Sequence, residues 1–294
     1  TALRWDPNLD IHFDARRRTG RPRTRWTDDI YDHLQQYITQ HATSDDHDDH
    51  HDEDKHAKHD DHDEHDDHYD PSPVALFADD DEHRLMIDVS RGLLGIYENI
   101  SDLHKGPNLI IADFPLRWTV SSMGTLFDNG INAVITSQRA IPANLQDPKI
   151  KNRSRVFYQM ANIEASMFRG KNNWALLMGT DGFIAEGSGD NFFIVKDGVV
   201  ITPEGRDCLV GISRNYVFEV CEQLGIKCIE KNIEPYHIYT ADEAFMTGTP
   251  FCILPVFKFN ETPVGNGKFG KITKKLIDKW GKNVGINIIQ QINY

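Results

Sequence analysis

Glu186 closes the apolar run "GFIA" and is followed by Gly187, Ser188, Gly189 and then Asn191. The stretch "DGFIAEGSGDNFFIVKDG" (Asp181–Gly198) has a D-G turn at each end and reads as a buried hairpin with a carboxylate at its centre. Three other features can act with that carboxylate. "GIS" at Gly211–Ser213 is a glycine turn directly before a helical pattern. The free N–H groups of such a start, here from Ile212 and Ser213, together with the Ser213 hydroxyl, suit an anion and above all a phosphate. "TGTP" at Thr247–Pro250 is a hydroxyl-rich turn between two strands, and Thr247 and Thr249 add donors for the same phosphate. Lys151 stands at the head of the segment "IKNRSRVFY". Alone, each has a plainer reading: an N-cap serine, a turn, a solvated surface lysine. Together, a phosphate site, a carboxylate and an amine fit pyridoxal phosphate. That cofactor needs an amine for its Schiff base and an acid beside its pyridine nitrogen, which keeps the ring an electron sink. The lysine then serves as the general base for the α-proton.

The elements that position these residues follow from the apolar pattern. "HRLMIDVSRG", "PNLIIADFPL" and "NAVITSQRAI" (Asn132–Ile141) read as strands. Val156, Met160, Ile163 and Met167 have helical spacing, with Gly170 as the stop. "NWALLM", "GFIAE", "NFFIV" and "VVIT" are short strands separated by "GTDG", "GSGD" and "KDG". A second helix after "LVGIS" places Val217, Val220, Cys221 and Leu224 on one face and ends at Gly225. "EAFMTGTPFCILPV" reads as strand, tight turn, strand, and "KITKKLIDKW" as a late helix. The irregular mixture of helices with antiparallel-looking hairpins predicts an α+β or mixed sheet rather than a doubly wound one.

Composition divides the chain further. The net charge of −13 is concentrated in Asp45–Asp70, where fourteen acids, two lysines and eight histidines alternate. The remainder is close to neutral, so the folded part has no electrostatic preference for nucleic acid. The tract reads as a disordered, weakly metal-scavenging tail without a fixed metal site. "RRRTGRPRTRW" (Arg16–Trp26) reads as a solvated basic leader; its Gly-Arg-Pro core also suits a minor-groove arm. The longer string "RRRTGRPRTRWTDDI" also resembles the tail that follows reverse transcriptase domains in some mobile elements, which suggests a gene fusion. Cys208, Cys221, Cys228 and Cys252 lack zinc-site spacing and are expected as reduced thiols. With no signal peptide and no membrane-spanning run expected, the reading is a cytoplasmic protein. The expected organisation is a disordered segment at 1–73, a partial small domain at 74–142 and a large cofactor-binding domain at 143–294.

The order of these pieces is more specific than any one of them. "EGSGDNFFIVKDGVVITP…LVGISR" contains E-G-x-x-x-N, a threonine after the next strand and a G-I-[ST]-R turn, filled by Glu186, Asn191, Thr202, Gly211, Ser213 and Arg214. From about His83 to the C-terminus the chain resembles the class IV (fold type IV) pyridoxal-phosphate aminotransferases. That family includes branched-chain and D-amino-acid aminotransferases and aminodeoxychorismate lyase. The resemblance implies a two-domain fold, a small α+β domain and a larger mixed α/β barrel-like one, and a homodimer. "DPKIKNRSRVFYQMANIEA" is similar to the family's Schiff-base segment. This implies that Lys151, 35 residues before Glu186, is the cofactor lysine, with Lys149 its close rival. Glu186 is then the pyridine-nitrogen partner, and its small neighbours give the ring room. Asn191, Gly211, Ile212, Ser213, Thr247 and Thr249 complete the implied cofactor shell. The implied reaction is amino transfer between a branched-chain or similar amino acid and 2-oxoglutarate. The family's F-E-x-x-R-like stretch, whose arginine grips the phosphate, has no counterpart here, and Arg153 and Arg155 are the nearest substitutes. The second reading is a catalytically impaired aminotransferase-like protein with a fused metal- or DNA-binding tail.

Overall fold

The computed structural model describes residues 3–4, 82–90 and 108–293, so the basic leader and the His/Asp tract lie outside the described residues. The chain divides into two compact units, Thr1–Phe114 and Pro115–Tyr294. The sequence boundary at 142/143 differs from this division because the strand Ile131–Arg139 is bonded into the sheet of the second unit.

The first unit holds β1 (Leu3–Arg4), β2 (His83–Ser90) and β3 (Asn108–Pro115) in the order β1-β3-β2. Leu3 and Arg4, within the segment read as a tail, pair antiparallel with Leu109 and Asn108. His83 Nδ1 bonds the Asp113 carboxylate at 2.9 Å.

The second unit is built on nine strands. They are β4 (Ile131–Arg139), β5 (Asn173–Met178), β6 (Ile184–Gly187), β7 (Asn191–Lys196), β8 (Val199–Thr202), β9 (Cys228–Glu230), β10 (Glu243–Gly248), β11 (Cys252–Phe259) and β12 (Thr262–Pro263). Their order is β6-β5-β4-β11-β10-β7-β8-β9, with β12 beside β11. Seven helices accompany them: α1 (Arg117–Val120), α2 (Leu126–Asn129), α3 (Val156–Met167), α4 (Ile212–Leu224), α5 (Pro235–Tyr239), α6 (Lys271–Val284) and α7 (Ile288–Ile292).

The strands predicted from the pattern are present, but the sheet is less antiparallel than the sequence suggests. β4 runs parallel to both β5 and β11, and β8 runs parallel to β9. Parallel neighbours need a long crossover, and α3 and α4 supply two of them, in β4–α3–β5 and β8–α4–β9. The central strands are covered on both faces, which is why β7 reads as a continuous apolar run and not an alternating one. Phe193 and Phe245 stack there at 4.8 Å. Against this core, α4 buries Val217, Val220 and Cys221, and α6 buries Leu276, Ile277 and Trp280.

One prediction is corrected. β6 and β7 do not form a hairpin: β6 pairs with β5, whereas β7 pairs with β8 and β10. A short link of four peptide units from Gly187 to Asn191 spans at most about 15 Å, yet it joins the two ends of the six-strand path β6-β5-β4-β11-β10-β7. The Gly187 N–H donates to the Asp190 carbonyl at 2.9 Å across this link. This six-strand part of the sheet therefore curls until β6 and β7 come close, and Glu186 lies at the seam.

Candidate active site

A cleft partly open to solvent lies beside the seam. Lys151, Arg155, Tyr158, Glu186 and Leu209 are among its lining residues. Lys151 lies ahead of the helix, and α3 starts at Val156. The Asn152 side chain accepts the Ser154 N–H at 2.8 Å, a local turn that competes with helix formation and keeps Lys151 in a loop. The rival Lys149 points elsewhere, toward the Arg206 carbonyl at 3.4 Å and the Asp147 carboxylate at 3.6 Å.

α3 turns a face of small residues to the sheet. Ala161 and Ala165 are buried against Val134, Ala175 and Leu177, while Val156, Met160, Ile163 and Met167 point outward. The absence of bulk at 161 and 165 lets the helix sit close, and Tyr158, one turn earlier, reaches the end of β6. Its hydroxyl donates to Glu186 Oε1. The Leu209 N–H donates to Glu186 Oε2 at 2.9 Å. Glu186 is only 4% exposed. Burial raises its pKa, while Tyr158, the Leu209 N–H, Arg155 and Lys151 all favour the ionised form. Burial, then the Glu186 charge, also raises the Tyr158 pKa. The Arg155 guanidinium lies 4.1 Å above the Tyr158 ring.

A chain of contacts leads from this carboxylate to the start of α4. The Asn191 amide donates to the Leu209 carbonyl at 2.7 Å. A Cβ on Gly211 would meet Asn191 Oδ1 at 2.5 Å, so a larger residue there would have to push the Asn191 side chain aside. Gly211 is the N-cap of α4 and no side chain caps it, which leaves the first amides of the helix, at Ile212 and Ser213, without a side-chain acceptor. Arg214, buried in the next position, donates to the Pro203 carbonyl at 2.9 Å and pairs with Glu230, so the turn is tied to β8 and β9. Thr202 donates to the Phe192 carbonyl at 2.8 Å and is structural.

Thr247 stands opposite Asn191 in the β10–β7 ladder. It is 1% exposed, and its hydroxyl has no hydrogen-bond partner. Thr249 lies exposed in the turn between β10 and β11. The structure thus brings Lys151 and Glu186 into one cleft and links Asn191 and Gly211 to it through Leu209. Ile212, Ser213, Thr247 and Thr249 are not among the cleft's lining residues.

The sequence reading missed Tyr158 and Asp190. Tyr158 lies inside the quoted segment but looks like one more apolar helix residue, and Asp190 looks like a turn residue. Of the two expected substitutes for a phosphate arginine, Arg155 is placed at the Glu186 end of the site.

A buried carboxylate held by two donors, an amine in the same cleft, a bare helix start and an orphaned buried hydroxyl suit an aromatic cation that carries a phosphate. Residues 72–259 match the family model described as amino-transferase class IV. A putative branched-chain-amino-acid aminotransferase of Methanocaldococcus jannaschii is 38% identical over 156 residues, 53% of this chain and 54% of that protein. The branched-chain-amino-acid aminotransferase of Pseudomonas aeruginosa is 35% identical over 147 residues, 50% of this chain and 48% of that protein. Among solved structures, the Escherichia coli branched-chain amino acid aminotransferase superposes with a TM-score of 0.59 at 29% identity, covering 69% of this chain and 64% of that one. The T.th. branched-chain amino acid aminotransferase with pyridoxamine 5'-phosphate gives a TM-score of 0.59 at 27% identity, covering 69% of this chain and 66% of that one. The chain spans about half the length of the curated relatives it matches. With the family match running over well more than half of its residues, the chain belongs to the class IV aminotransferases, a family of pyridoxal-phosphate enzymes.

Proposed function

We propose that the protein is a pyridoxal-phosphate-dependent transaminase that exchanges the amino group between a branched-chain amino acid and 2-oxoglutarate. The observation that carries this reading is Glu186, a buried carboxylate at the closed seam, with donors on both oxygens and the Lys151 amine in the same cleft. The similarity to branched-chain aminotransferases favours that substrate class over D-amino acids or aminodeoxychorismate.

When bound, the cofactor supplies an aldehyde for the amino group and a protonated ring that takes up the electron pair released with the α-proton. Glu186 would hold the ring N–H; a carboxylate accepts about four hydrogen bonds, so Tyr158 and Leu209 leave room for this one. The Leu209 N–H and the Tyr158 hydroxyl favour the ionised form of Glu186 and oppose the larger upward push of its burial. The first amides of α4, at Ile212 and Ser213, would receive the phosphate, with hydroxyls from Ser213, Thr247 and Thr249. Lys151 would hold the cofactor aldehyde through its side-chain amine, and that amine would carry the proton taken from the substrate carbon. The alternate candidate, Lys149, is occupied by Asp147 and the Arg206 carbonyl.

The outward face of α3 supports a homodimer. Val156 and Met167 are 69% and 75% exposed, and with Met160 and Ile163 they form a continuous apolar stripe of the kind that marks a protein interface. For localisation, no helix among the described residues is long and apolar enough to cross a membrane.

The test is purification followed by visible absorbance and a transamination assay. A bound chromophore and amino transfer from L-leucine, L-valine or L-isoleucine to 2-oxoglutarate are expected. A colourless protein that takes up no added pyridoxal phosphate would reject the cofactor reading. A coloured protein without turnover would favour the impaired alternative, and turnover of D-amino acids alone would reassign the substrate.

A further inference from the structure

Asp190 lies four residues from Glu186, on the turn that closes the seam. Its side chain folds back over Gly187: a Cβ added there would meet Asp190 Oδ1 at 1.9 Å. The side chain is buried, the residue only 8% exposed, and Oδ1 has no hydrogen-bond partner. Two carboxyls are thus enclosed in one seam, and their surroundings differ sharply. Glu186 has a donor on each oxygen and the charges of Arg155 and Lys151 nearby. Asp190 has the Gly189 N–H and the charge of Arg155.

Like charges enclosed together in a weakly screening interior cannot both persist without compensation, and the better solvated partner keeps the charge. We propose that Asp190 is the proton-carrying member of a carboxyl pair with Glu186: a positioning residue that confines the seam to one negative charge and sets the charge state of Glu186.

Burial, and then the Glu186 charge, pushes the Asp190 carboxyl up to about 8, against the pull of the Gly189 N–H and Arg155. The groups that face the pair are Arg155 and Tyr158 at the start of α3, Lys151 in the loop before it, and Cys208 in the loop before α4. The proposal rests on the transaminase reading for its purpose, because a cation held at Glu186 would ease Asp190 deprotonation, and by reciprocity Asp190 deprotonation would tighten that cation. Its physical content concerns the protein alone.

The experiment is an infrared titration of the full chain without cofactor, in the protonated-carboxyl region, for wild type, Asp190→Asn and Glu186→Gln. In wild type a protonated-carboxyl band is expected to disappear with a midpoint of about 8. Asp190→Asn should lack it. Glu186→Gln should keep it, with the midpoint lowered by about one pH unit or more, tenfold in proton affinity, because the neighbouring charge is gone. That shift is the readout a merely structural aspartate would not give. No band in wild type, a band that survives Asp190→Asn, or an unmoved midpoint in Glu186→Gln would each overturn the proposal. If Asp190→Asn does not fold, wild type and Glu186→Gln alone decide it. Adding pyridoxal phosphate separates the two readings: failure to bind it defeats the transaminase function and leaves the Asp190 titration intact.

Discussion

Thr247 offers a test in which stability and ligand affinity should move in opposite directions. Its hydroxyl is buried on β10 with no partner, opposite Asn191. A buried donor and acceptor left unmade costs about 1–3 kcal/mol. Thr247→Val keeps the shape, replaces the hydroxyl by a methyl and retains a β-branched residue in a strand. The cofactor-free protein should therefore gain about 1–2 kcal/mol. At roughly 2–4 °C per kcal/mol for a unit of this size, the melting temperature should rise by a few degrees. If the hydroxyl is kept for a phosphate, the same change removes a hydrogen bond to a charged group, about 1.5–3 kcal/mol. The affinity for pyridoxal phosphate should then fall about ten- to hundredfold.

Thr136 supplies the control. It is also buried with an unpartnered hydroxyl, on β4, and has no part in the proposed phosphate site. Thr136→Val should raise the melting temperature and leave the affinity unchanged. The assays are thermal unfolding of the cofactor-free protein and a titration followed by visible absorbance. Loss of stability in cofactor-free Thr247→Val would mean that its hydroxyl has a partner. Unchanged affinity would mean that Thr247 does not face the phosphate, and either result refutes the reasoning.

Other outcomes follow from the same geometry. Borohydride reduction and peptide mapping should find the pyridoxyl group on Lys151; its recovery on Lys149 would reverse the assignment made from the cleft. Glu186→Gln should fold and still take up cofactor but lose most transamination, since an amide cannot hold the ring nitrogen protonated; equal rates would remove that role. Stability should fall as pH rises from about 4 to about 8, because folded Asp190 holds its proton to about 8 while the unfolded chain releases it near the ordinary aspartate value of 3.8. That contribution is complete below pH 3.8, and at 1.36 kcal/mol per pH unit its ceiling is on the order of 5 kcal/mol; a chemical-denaturation series in which Asp190→Asn has the same pH slope as wild type would contradict it. Glu243 accepts the Ile272 and Thr273 N–H groups at 2.9 and 2.8 Å and so caps α6, and Glu243→Ala should cost about 1–3 kcal/mol in unfolding experiments.

The local elements were legible because their signals are local. α4 begins at the glycine turn and ends at Gly225 in the left-handed conformation, as the pattern from Val217 to Leu224 predicts. Strand pairing was legible only in part: the tight turn in "EAFMTGTPFCILPV" does join the antiparallel pair β10–β11, but the apparent hairpin around Glu186 is not a pair. A short polar link between two apolar runs is a good hairpin signal, and Gly187–Asp190 carries it, but β6 finds its partner in β5 and β7 finds one in β10, far along the chain. The pairing follows from how the apolar surfaces close, which no window of sequence contains. α3 was legible as a helix, yet its spacing pointed to the wrong buried face. Val156, Met160, Ile163 and Met167 are exposed, and the alanines at 161 and 165 meet the sheet.

The small residues around Glu186 illustrate the difference between a motif and its cause. Room for a cofactor ring is one reason for glycine at 187 and 211, and it is the one the family resemblance supplies. The structure contains a second reason that needs no ligand. At 187 a side chain would collide with the Asp190 carboxyl, and at 211 with the Asn191 amide. The Asn191 amide connects the seam to α4, and the backbone carbonyl of Asp190, next to its carboxyl, accepts the Gly187 N–H across the turn. An alanine at 187 must therefore displace Asp190 even in a protein that never meets a cofactor. The motif E-G-x-x-x-N is in this sense a description of a corner: the carboxylate ends one edge of the curled sheet, the asparagine begins another strand, and the glycine is where the chain packs back on itself. The chemistry proposed for Glu186 depends on that closure, because an open hairpin would leave the carboxylate in water, without Tyr158 and Leu209 to hold its charge in a buried place.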